Sequence, residues 1–157
     1  HNRCRRQRQM CIRDSRFNYT AIGKEVNIAN RLEGINKFYS TTILISQPTY
    51  DLVKDLFICR PLDKVKVIGI SYPLQIYELV AAKNSNNQEL QDFMHLFSNA
   101  HKLFQRQQWD KALELFTKLK QSHPDDIILN YYITQTNSFI QTPPTSSWDG
   151  VIEMTSK

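Results

Sequence analysis

No apolar run in these 157 residues approaches the ~20 needed to cross a membrane. No segment resembles a signal peptide, and the first residue is not Met, so the chain reads as a piece of something longer. Cysteine is scarce. Of three, Cys4 and Cys11 lie in the first eleven residues, and Cys59 alone remains beyond them. A lone cysteine in a strand-like context reads as a buried thiol, which leaves no disulfide framework and no zinc site. A reducing compartment follows, on the cytoplasmic side, with any membrane anchor upstream of this segment. Charge is scarce too once its place is considered. The net charge is +5, but residues 1–14 hold Arg3, Arg5, Arg6, Arg8 and Arg13 against Asp14, and the body is nearly neutral. A basic head without a basic face excludes a nucleic-acid surface on the body. HNRCRRQRQMCIRD has no apolar period and reads as non-native, in the manner of vector read-through, or as a disordered basic arm.

What is present is ordered and globular in composition, with 41% hydrophobic and 22% charged residues. Residues 15–22 alternate as a strand. Residues 24–39 follow a helical period, with Ile28, Leu32, Ile35 and Tyr39 on one stripe. TTILIS at 41–46 is a short β-branched strand, and Pro48 opens a short helix. Residues 57–70 read as an extended ribbon interrupted near Pro61, and 74–80 as a last strand. The order β-α-β-α-β-β is that of an α/β or α+β sheet layer over 15–80. Residues 81–89, rich in Asn, Ser and Gln, read as a linker. Three helical patterns follow within 90–141, the last capped by Asp125 or Asp126, and then a turn-rich tail over 142–157.

The stretch YTAIGKEVNIANRL turns from strand to helix at Gly23 and places Asn27 and Arg31 four apart, on one helix face. Together with RFNYTAIGKEVNIANRLEGINKFY, TTILIS and KVKVIGISYPLQIYEL, it resembles the catalytic domain of class III adenylate/guanylate cyclases over about residues 15–80. The resemblance implies the C-terminal half of a ferredoxin-like cyclase domain. It also implies a reaction, attack of a nucleotide's 3′-hydroxyl on its own α-phosphate, releasing pyrophosphate. Two divalent ions, Mg or Mn, would assist at a site shared between two cyclase domains of a homodimer or heterodimer. On this resemblance Asn27 matches the ribose-orienting asparagine, and Arg31 the arginine that stabilises charge on the α-phosphate. Thr20 stands at the base-reading position, where a hydroxyl goes with adenine, so ATP is favoured over GTP.

The chain departs from that family in three places. The front half, with the metal-binding aspartates and an adenine-reading lysine, has no counterpart here, so no metal ligand is assigned. Lys24 stands where an aspartate is usual. Ile68 and Ile70 replace two lysines, the first of which would meet the β/γ-phosphates; Lys66, or Lys64, is the available substitute. Losing such a cation weakens triphosphate binding by about 1–3 kcal/mol.

Residues 96–126 resemble one tetratricopeptide repeat, with Ala100, Ala112, Phe116 and Pro124 at its small, small, aromatic and proline positions. A single repeat cannot bury its own face, so it docks on the sheet layer, on a copy of itself or on a protein partner. A plain helical hairpin is the simpler reading of the same residues. Trp148 is expected to anchor the chain end on the helices. Two functions follow: a fragment of a nucleotide cyclase, inactive alone, or a catalytically inactive cyclase-like partner or scaffold with a helical binding module.

Overall fold

The computed structural model describes residues 23–67, 70–83, 87–145 and 148–153. The strand expected over 15–22, Thr20 within it, and Ile68 lie outside the described residues. Five helices and a four-stranded sheet make a mixed α+β structure among the described residues. In chain order they are α1 (Lys24–Tyr39), β1 (Leu44–Ser46), α2 (Gln47–Val53), β2 (Phe57–Lys66), β3 (Leu74–Ala82), α3 (Gln88–Gln105), α4 (Trp109–Ser122), α5 (Ile127–Gln141) and β4 (Val151–Glu153).

The apolar stripe of α1 is turned inward, with Leu32, Ile35 and Tyr39 buried and Ile28 partly so. Ser40, at φ 53°, ends the helix in the left-handed region, and its N–H returns to Asn36 and Lys37. Pro48 sits in the first turn of α2, where no hydrogen bond is lost. The α3 cap is Asn87, whose side chain accepts from Leu90 N at 3.0 Å. Asp126, one of the two expected caps, accepts from Leu129 N at 3.0 Å.

The sheet order is β1-β3-β2-β4, with β3 antiparallel to both neighbours. The ribbon expected to break at Pro61 is one strand. Pro61 pairs with Tyr77 and Lys64 with Gln75, so Leu62 and Asp63 together face Ile76. That two-against-one bulge keeps pairing while turning both Leu62 and Asp63 inward. Ala81 and Ala82, assigned to a linker by composition, continue β3 against Ile58 and Phe57. The tail returns to the sheet. Gly150, at φ 77°, makes a turn that side chains resist, and β4 then runs parallel to the end of β2.

The helices and the sheet share one core, which passes from Leu32 and Ile35 through Leu62, Val65 and Ile76 to Phe97, Phe116, Leu129 and Tyr132. Of the three docking options open to the helical segment, the structure shows the sheet of the same chain, with α3 against β2. Ala100 and Ala112 are fully buried where α3 meets α4, and Phe116 packs on Phe97, Phe104 and Tyr132. Each such aromatic contributes ~1.5–3 kcal/mol by leaving water. Trp148 anchors the tail as expected, edge-on to Phe104 and Phe139 and tilted on Trp109.

Candidate functional site

Asn27 and Arg31 project from the first half of α1, and both are exposed. The backbone N–H of Asn27 closes the first turn on Gly23 O at 3.2 Å, which seats the residue one turn into the helix. At ~100° per residue Asn27, Arg31 and Phe38 fall within about 40° of one another, on one flank. Phe38 is itself half exposed, so this flank is a solvent-facing strip of an amide, a guanidinium and a phenyl ring. The strip can accept an anion or a polar sugar edge without disturbing the core.

A groove of about 720 Å³ does not include them. It opens on the other side of α1, where Ala29, Glu33 and Asn36 face β1, the start of α2 and Tyr72. Asn36 is held there by hydrogen bonds to Thr42 O and the Thr41 hydroxyl. Lys66 is exposed at the end of β2, in register with Glu153 of β4, and it does not line that groove. Ile70, at the second lysine position of the resemblance, packs half-buried against the core. Among the described residues no three His, Cys, Asp or Glu side chains come together as a metal site.

Two buried polar centres escape a reading by motif. Arg60 of β2 meets Glu78 and Asp126 at 2.6 Å each, and its guanidinium lies 5.1 Å from the Phe97 ring centroid and 6.0 Å from that of Phe93. It ties β3, α3 and the α5 cap to one cation. Its signal in sequence is a charge at an inward step of the alternation Ile58, Arg60, Leu62. The second centre is Asp63. Its Oδ2 accepts from Tyr39 at 2.6 Å and from Tyr131 at 3.1 Å, and its Oδ1 accepts from Tyr132 at 3.1 Å. Burial pushes the carboxyl up to about 6, against the opposing pull of the three hydroxyl donors. Burial and the Asp63 charge drive all three tyrosines far above their usual range, so they stay protonated donors.

His101 is buried among Phe97, Phe104 and Tyr132, and its Nε2 has no hydrogen-bond partner among the described residues. Burial pushes it down to about 4. Cys59 is a half-buried free thiol whose pKa burial raises, which makes it a poor nucleophile.

Asp63 and His101 oppose each other in pH. Between about 4 and 6 the folded chain holds a proton on Asp63 that the unfolded chain releases, so this residue's contribution to stability falls as pH rises. Over about 4 to 6.5 the unfolded chain binds a proton that folded His101 refuses, so that contribution rises with pH. Denaturant melts of the parent chain are expected to be nearly flat across this window, and those of Asp63→Asn to gain stability with pH. A parallel pair of profiles would contradict the assignment.

No protein-family model matches the chain. It is 44% identical over 72 residues to adenylate cyclase 1 of Rhizobium meliloti, covering 46% of this chain and 11% of that protein. It is 30% identical over 133 residues to the terminal-differentiation-specific adenylate cyclase of Dictyostelium discoideum, covering 82% of this chain and 6% of that protein. A match of that reach must take in much of the helical segment as well as the sheet. The adenylate cyclase of Anabaena cylindrica is 41% identical over 73 residues, 43% of this chain and 14% of that protein. Among solved structures, the adenylyl cyclase CyaB from P. aeruginosa shares 43% identity over 46% of this chain and 36% of its own, with a TM-score of 0.37, too low to bear on the fold. The chain thus spans between 6 and 14% of the length of these curated relatives, and over that span it is similar to adenylate cyclases.

Proposed function

We propose that this chain is part of a nucleotide cyclase that converts ATP to the 3′,5′-cyclic nucleotide. In that reaction the ribose 3′-oxygen forms a bond to the α-phosphorus, its proton leaves to base or water, and the bond to the β-phosphate oxygen breaks to release pyrophosphate. The observation that carries the reading is the 44% identity with a bacterial adenylate cyclase over a length similar to that of the sheet layer. The placement of Asn27 and Arg31 on an exposed flank supports it.

Asn27 would hold the ribose so that the 3′-hydroxyl lies in line with the α-phosphate. Arg31, one turn on, would place a planar cation on the α-phosphate oxygens as five-coordinate charge develops. Thr20 would accept from the adenine amino group, which favours ATP over GTP, and Lys66 is a weaker candidate for phosphate contact. Two divalent ions would supply Lewis acidity in the complete dimeric site. On the resemblance their ligands would come from the front half of the domain, so no step is assigned to them.

The second reading is a cyclase-like dimer partner or scaffold without activity, its helical segment serving as a protein-binding module. It is favoured by Ile70, which packs on the core where the resemblance would place a lysine. Sequencing the transcript upstream of Ser15 separates the two. The cyclase reading expects a frame that continues into paired aspartates, with residues 1–14 absent from it. A stop codon directly before a confirmed basic head would give the partner reading the lead.

A further inference from the structure

Asp63 is buried, and among the described residues it forms no ion pair, since both ion pairs of Arg60 go elsewhere. A buried carboxylate without a cation is costly, and an apolar side chain would fill the bulge more cheaply. What it has instead is three hydroxyl donors from two different helices. Tyr39 is the last residue of α1, and Ser40 closes that helix immediately after it. Tyr131 and Tyr132 belong to α5. The rings of Tyr39 and Tyr131 also meet edge to face at 5.3 Å, and Phe38 meets Tyr131 at 5.6 Å.

We infer that Asp63 is a positioning residue through which the helical segment holds the C-terminal end of α1, the helix that carries Asn27 and Arg31. Tyr39 and Tyr131 share one carboxylate oxygen, so a shift of α5 that draws Tyr131 away changes the anchor of Tyr39 directly. Arg31 lies eight residues back, ~12 Å along a continuous helix, and a helix transmits a displacement of its end along its axis. A partner that moves the helical hairpin would therefore move the Asn27–Arg31 flank. That regulatory meaning rests on the cyclase reading; the mechanical coupling between α5 and α1 does not.

The test is amide hydrogen exchange on the full chain, with thermal melts to establish that each variant folds. Removing two hydroxyls from α5 with Tyr131→Phe and Tyr132→Phe is expected to speed exchange at residues 36–39 of α1 by about tenfold. Phe139→Leu, which loosens the hairpin beside Trp148 and away from Asp63, is the control and leaves those amides unchanged. In a Tyr39→Phe background the α5 substitutions add nothing further at 36–39, because the shared anchor is already gone. Unchanged exchange in the double variant, an equal rise in the control, or a full effect in the Tyr39→Phe background would each overturn the coupling. No nucleotide enters this experiment, so its outcome is independent of whether the protein is a cyclase.

Discussion

Replacing Arg31 with alanine in the complete protein is expected to lower kcat by ~100-fold or more and to leave KM for ATP within a few-fold. The asymmetry follows from the role. A guanidinium that meets the α-phosphate mainly as charge develops is felt in the transition state more than in the bound ground state. The structure makes the experiment clean, because Arg31 is exposed. An exposed substitution of this kind changes stability by about 0.5 kcal/mol or less, so lost turnover would not be lost fold. Unchanged turnover would remove Arg31 from the site and with it the strongest residue-level support for the cyclase reading.

The largest stability effect is expected at Arg60. Alanine there leaves the carboxylates of Glu78 and Asp126 facing a cavity without their cation, and it exposes the faces of Phe93 and Phe97. Breaking a buried ion pair from one side costs about 3–5 kcal/mol. At about 2–4 °C per kcal/mol for a chain of this size, Tm falls by roughly 6–20 °C. Arg60→Met with Glu78→Leu and Asp126→Asn should recover most of the loss, since asparagine still caps α5 and no charge is left unpaired. A Tm of Arg60→Ala within ~2 °C of the parent would mean that the ion pairs do not join sheet to helices.

Local signals were legible, and non-local ones were not. Helix α1 shows itself through Ile28, Leu32, Ile35 and Tyr39, and the start of α5 through an aspartate before an apolar run, because both depend on neighbours within a turn or two. The bulge at Leu62–Asp63 is invisible in β2 alone, since it exists only against Ile76 of β3. Nothing in the ribbon pattern of 57–70 therefore singles out Asp63. Strand β4 is three residues long and pairs with residues 64–66, nearly ninety positions away, so the tail carried no pattern from which to place it. Asn27 and Arg31 run the other way. Their geometry is that of any exposed pair on a helix, and only the surrounding motif singled them out.

The most direct test is turnover of ATP by the purified complete protein, followed as 3′,5′-cyclic AMP and pyrophosphate with magnesium or manganese, beside purified residues 15–157 alone. The cyclase reading predicts product from the complete protein, less from GTP, and none from the isolated segment. Failure of the complete, folded protein to make a cyclic nucleotide from either substrate would contradict it; turnover by residues 15–157 unaided would instead overturn the expectation that this segment is inactive alone.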